Sequence, residues 1–140
     1  MSHAERWQGF SALPIGVEVR LAQLPPLLAR QGVTLAYLFG SLAKGTLERD
    51  VDLALLSPLI PPSALRETLV MHLGTQRLDI VDLAQAPPLL RFEILRTGRL
   101  LYVANADVQR RFTLETLRLY RDTQPLRTRQ SHILRERFAG

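Results

Sequence analysis

Two aspartates, Asp50 and Asp52, stand two residues apart at the entry of an otherwise apolar run, Val51-Asp52-Leu53-Ala54-Leu55-Leu56. In an extended strand, residues i and i+2 point to one face, so the two carboxylates project together, about 7 Å apart at Cα. Like charges that close repel unless a cation lies between them. A pair of Mg²⁺ ions about 3.5–4 Å apart, bridged by carboxylates and phosphates, relieves that repulsion. Mg²⁺ takes oxygen ligands and keeps substrate phosphate in its shell. The plainer alternative is a capping Asp50 followed by a solvent-facing Asp52 on an edge strand. The apolar residues around Asp52 argue against it, because they describe a buried strand and unpaired acids are rarely buried.

A third carboxylate is expected from a neighbouring strand. Leu78-Asp79-Ile80-Val81-Asp82-Leu83 offers two, and alternation sends them to opposite faces, so only one can join the pair. Asp79 is preferred, since it precedes apolar Ile80-Val81 as Asp50 precedes the core of its own strand. Asp82 is expected to cap the loop that follows. A carboxylate beside a metal can also take a proton from an attacking hydroxyl, which makes Asp79 the natural base. Upstream lies Leu38-Phe39-Gly40-Ser41-Leu42-Ala43-Lys44-Gly45. Gly40, directly after a strand, permits a sharp turn and a close backbone approach to a ligand. Ser41 then offers a hydroxyl and an amide at the start of a helical turn, where N–H groups favour anions. Lys44 follows one turn on as a point charge for phosphate. Taken alone, a strand followed by Gly-Ser is a common turn; beside the aspartates it suits a triphosphate tail. It is not a Walker A loop, because Lys44 precedes Gly45 and Thr46 follows it.

Short apolar runs and helical stripes must position these groups. Val33 to Phe39, Val51 to Leu56 and Leu78 to Leu83 read as buried strands, with Arg99 to Val103 a weaker fourth. Helices are expected over Leu27 to Gln31, from Pro61-Pro62-Ser63 to Gly74, and from Pro87-Pro88 to Gly98. A long helix over 106–121 is expected to bury Phe112, Leu114, Leu117 and Tyr120, with Pro125 breaking it. Strands alternating with helices predict an α/β (α+β) domain, a mixed sheet flanked by helices with a C-terminal helical extension. A single domain over 1–140 is expected, its core at about 25–104 and a basic helical segment at about 105–140.

Composition narrows the chemistry. With 46% hydrophobic and 22% charged residues the chain is an ordinary globular one. It has no cysteine, which excludes disulfides, thiolate metal sites and cysteine nucleophiles. His3 and His72 have no partner at metal-ligand spacing. Met1 to Trp7 carries no apolar run and no stretch approaches a membrane span, so neither signal peptide nor membrane is expected and the location expected is cytoplasmic. Residues 1–98 hold nine basic and nine acidic side chains, whereas residues 99–140 hold nine basic against four acidic. The whole net charge of +5 therefore lies at the C-terminal end. It reads as a solvated helix face or as a docking segment for an acidic surface. Few aromatics interleave with these arginines, so nucleic acid is not the expected partner.

Gly40-Ser41, Asp50 and Asp52, and then a lone Asp79 on a later strand follow the order and spacing of a known motif. On these residues the chain resembles the minimal nucleotidyltransferases (MNT) of the polymerase-β superfamily. Ala43-Lys44-Gly45, Val81-Asp82-Leu83, Pro87-Pro88-Leu89-Leu90 and the run from Ile94 to Tyr102 are further similar to the MNT antitoxins paired with HEPN toxins. The likeness spans roughly residues 30–122 and implies a polymerase-β-like fold. It also implies an antitoxin that uses ATP as substrate and Mg²⁺ to place AMP on a tyrosine of a HEPN ribonuclease toxin. Asp50, Asp52 and Asp79 would then be catalytic and hold metal, and Gly40, Ser41 and Lys44 would bind nucleotide. One departure is Arg49, where members usually carry serine before the first aspartate. Arg127 and His132 happen to match an Arg-x₄-His spacing, which an arginine-rich chain produces by chance. The competing expectations are an antitoxin that neutralises its partner by contact alone and a transferase acting on a small-molecule acceptor.

Overall fold

The computed structural model describes residues 16–40 and 50–124. Helices α1 (Val17–Ala22) and α2 (Leu24–Arg30) lead into strand β1 (Leu35–Phe39), followed by β2 (Val51–Leu56). A 3₁₀ turn, Pro62–Leu65, runs into α3 (Arg66–Leu73). Then come β3 (Leu78–Asp82), α4 (Pro88–Thr97), β4 (Arg99–Val103) and α5 (Ala106–Asp122). The four strands form one mixed sheet in the order β3-β2-β1-β4, with β2 and β3 parallel and β1 antiparallel to both β2 and β4. The parallel pair needs a crossover, which the 3₁₀ turn and α3 supply.

Alternation along the strands divides the core into two layers. Ala36 and Leu38 of β1, with Val51, Leu53 and Leu55 of β2, face Leu21, Leu24, Leu28, Leu69 and Leu73 of α1, α2 and α3. Leu35, Tyr37 and Ala54 face the other way, onto Leu83, Ile94 of α4 and Phe112 of α5. Leu53 and Leu55 are wholly buried, and each such leucine contributes about 1.5–3 kcal/mol relative to exposure. Two covered faces explain why β2 reads as a continuous apolar run rather than an alternating one.

Several elements begin or face differently from what their local sequence predicts. Helix α2 starts at Leu24 and takes Pro25 and Pro26 into its first turn, where a missing N–H costs nothing. Helix α1, not anticipated, brings Val17 and Leu21 into the core. Helix α3 stops at Gly74, whose φ of 74° is the left-handed C-cap that the sequence suggests. In α5 the expected burial of Leu114 and Leu117 is wrong: they are 61% and 44% exposed. The inward row runs at i, i+4 through Val108, Phe112 and Thr116 instead, which turns both leucines outward. Phe112 lies 6.3 Å from the Tyr37 ring and beneath the Arg91 guanidinium, and Tyr120, half-buried, stacks on Phe92 at 3.7 Å.

Candidate active site

The register of the sheet gathers the singled-out aspartates at one end. Asp52 lies opposite Phe39, the last residue of β1, and directly beside Asp79 of β3. Ala54 and Val81, two residues on, are also side by side and belong to the core layer of α4 and α5. By period-two alternation Asp52 and Asp79 therefore occupy that same face of the sheet, one register row before the apolar layer begins. Asp52 is half-buried and Asp79 exposed, so the pair opens from the core edge towards solvent. Asp82 stands apart. Its Oδ1 accepts from the Ala84 amide at 2.9 Å, the turn-capping role expected of it.

Gly40 closes the site from the β1 side. Its φ of 73° lies in the left-handed region. A Cβ built there would overlap Oδ2 of Asp52 and come within 3.3 Å of its Cγ. Two independent demands, backbone conformation and space for the Asp52 carboxylate, thus fall on one residue. Ser41, Lys44 and Arg49 lie outside the described residues, as do Arg127 and His132.

Asp50, 7% exposed, sits just before β2, and its Oδ1 accepts from Arg77 Nε at 3.3 Å. Arg77 escaped the sequence reading, although its signal was there. Pairing Asp52 with Asp79 sets an offset of 79 − 52 = 27 residues, and the same offset sets Asp50 beside 50 + 27 = 77. The Val51 amide donates to the Arg77 carbonyl at 2.9 Å, which holds the backbone of Arg77 against the start of β2. Arg66 was also missed: its guanidinium donates to the carbonyls of Leu78 and Gln76, pinning the entry of β3 next to Asp79.

Among the described residues, no three Asp, Glu or His side chains are drawn tightly enough together to form a ready-made metal cage. That agrees with Asp50 being turned onto Arg77. The donors that remain still fit Mg²⁺. They are carboxylates only, on rigid neighbouring strands, and Mg²⁺ is bound in nucleotide sites by one or two carboxylates plus phosphate oxygens and water. Space for the Asp52 carboxylate is secured by Gly40. The arrangement can hold a divalent cation against a phosphate and can accept a proton at exposed Asp79.

The family model described as Polymerase beta, Nucleotidyltransferase matches residues 23–107. No curated protein matches the chain by sequence. Among solved structures, a crystal structure of a toxin–antitoxin with AMP-PNP contains a chain 25% identical to this one. Their TM-score is 0.65, and the match covers 82% of this chain and 97% of that one. A mutant of the toxin–antitoxin MntA-HpeT is similar at 21% identity and TM-score 0.67, covering 81% and 97%. A third, a tri-AMPylated HEPN toxin of Shewanella oneidensis in complex with its MNT antitoxin, is similar in fold at 22% identity and TM-score 0.64, covering 84% and 98%. No helix among the described residues is long and apolar enough to cross a membrane.

Proposed function

The chain belongs to the polymerase-β nucleotidyltransferase family, and from that membership we propose that it transfers AMP from ATP to a tyrosine of a cognate HEPN ribonuclease toxin, acting as its antitoxin in the cytoplasm. The single observation that carries the reading is the Asp52–Asp79 register pair on adjacent strands, with Gly40 making room beside it. The toxin–antitoxin structure with AMP-PNP supports the nucleotide, and the tri-AMPylated HEPN toxin supports the acceptor class.

In this reading Asp50, Asp52 and Asp79 hold Mg²⁺. When bound, the metal supplies charge neutralisation at the phosphates, the main form of electrostatic help in phosphoryl-type transfer. Gly40, Ser41 and Lys44 bind the triphosphate. The acceptor tyrosine oxygen attacks the α-phosphorus, and its proton passes to the carboxylate of Asp79. The bond between the α-phosphorus and the β-phosphate bridging oxygen breaks, and pyrophosphate leaves with the electron pair. Asp79 is suited to the proton-accepting part because it is the exposed member of the pair, within reach of a side chain presented by another protein. Asp52, half-buried beside Gly40, is the more enclosed member and suited to hold the metal.

Incubation with labelled ATP, Mg²⁺ and a HEPN-type partner protein tests the proposal. Label is expected on a tyrosine of the partner with the wild type and on none with Asp52→Asn. Labelling that survives Asp52→Asn would remove the mechanism. Protection of cells by Asp52→Asn equal to that of wild type would favour neutralisation by contact alone.

A further inference from the structure

The parallel register of β2 and β3 places Asp52 beside Asp79, and just ahead of the two strands the Asp50 carboxylate meets the Arg77 guanidinium. The site is therefore three carboxylates and one guanidinium. The Asp50 and Arg77 side chains are 9% and 10% exposed, so this pair is removed from water. A carboxylate buried to that degree needs a compensating charge, which the neighbouring guanidinium supplies. Arg77 Nε reaches Asp50 Oδ1 at 3.3 Å, so the guanidinium occupies an oxygen that a divalent cation would also take.

We propose that Arg77 is a built-in counter-ion that competes with the divalent cation for Asp50. In the metal-free protein the guanidinium neutralises the buried carboxylate and keeps the acidic end of the sheet folded. Its charge also lowers the affinity of the site for a bare divalent ion, so the metal is retained together with the phosphates of the nucleotide rather than before them. The inference rests on the metal-dependent transferase reading above, which assigns Asp50 to the metal. Arg77 is in this account a positioning residue, acting through Asp50 and touching no reacting atom.

Mn²⁺ serves as the probe, titrated into the full chain by electron paramagnetic resonance, without nucleotide and with AMP-PNP. Arg77→Met is expected to bind Mn²⁺ alone about three- to tenfold more tightly than wild type, because one positive charge near the ion is gone. Arg77→Lys, which keeps the charge, should stay close to wild type. Arg77→Gln keeps a donor for Asp50 without the charge, should bind as Arg77→Met does, and covers the case in which the methionine variant does not fold. Melting temperature provides a second readout: the uncharged variants should melt below wild type without metal and recover more of the difference with saturating Mn²⁺. A purely structural role would lower melting equally in both conditions. Unchanged or weaker Mn²⁺ affinity in both uncharged variants overturns the proposal. Wild-type protein that binds no Mn²⁺ even with AMP-PNP sinks the metal-dependent reading itself, a separate and recognisable failure.

Discussion

Gly40→Ala separates the strain of a turn from the geometry of the site. The residue holds φ at 73°, and an L-residue in that region costs about 1–2 kcal/mol. For a domain of this size each kcal/mol moves the melting temperature by about 3–4 °C, so a fall of about 3–8 °C is expected. The second effect is larger and local. The new methyl would overlap Oδ2 of Asp52 and press on its Cγ from 3.3 Å, so the carboxylate must retreat by roughly 1 Å to reach ordinary contact. A displacement of that order at a reacting centre can lower the rate by about 100-fold. Gly40→Asn is the control, because asparagine tolerates the left-handed region but still carries a Cβ. It should recover much of the melting temperature and none of the rate. Transfer measured with ATP and the partner, beside a thermal melt of each variant, reads both quantities. Gly40→Ala retaining wild-type transfer within about threefold would refute the claim that this glycine exists to admit Asp52.

Three further outcomes follow from the packing. Thr116 is fully buried and its hydroxyl has no hydrogen-bond partner among the described residues, so Thr116→Val should be neutral or stabilising by up to about 1 kcal/mol in a denaturant melt. Burial pushes the Tyr37 phenol above its ordinary value of 10.0, an effect only partly offset by Gln109. The folded protein then keeps a proton that the unfolded chain gives up, so this contribution is level below about pH 10 and stability falls as pH rises beyond it; Tyr37→Phe should flatten that alkaline decline in pH-dependent melts. Leu117→Ser, on the outer side of α5, should change stability by no more than about 0.5 kcal/mol, whereas Phe112→Ala should cost about 3–5 kcal/mol by the same measurement.

Much of the site was legible because its ingredients are local. The apolar run after Asp50 and the one after Asp79 declare two strands, and period-two alternation alone sets Asp50 and Asp52 on one face. Alternation allows only one of Asp79 and Asp82 to join the pair, and the apolar Ile80-Val81 that follows favours Asp79; the sheet puts Asp79 beside Asp52 while Asp82 caps its turn. Arg77 was missed because its role depends on register between strands 27 residues apart, which no single stretch contains. The central place of β1 between β2 and β4 is likewise a property of pairing, not of any one run. Helix α1 is six residues long and has no side-chain N-cap, so neither a cap nor a long apolar stripe announced it. In α5 hydrophobicity misled: a buried threonine and two exposed leucines invert the usual preference, and only packing on α4 and the sheet decides which row faces inward.

The central claim is that Asp52 and Asp79, neighbours across a parallel strand pair, hold a divalent cation against a nucleotide phosphate. Crystals grown with Mn²⁺ and AMP-PNP test it directly, since anomalous scattering locates the ion without reference to the protein. A peak bonded to oxygens of both Asp52 and Asp79 and to a phosphate oxygen is the predicted result. A nucleotide bound elsewhere, or an ion that touches neither carboxylate, would contradict the account.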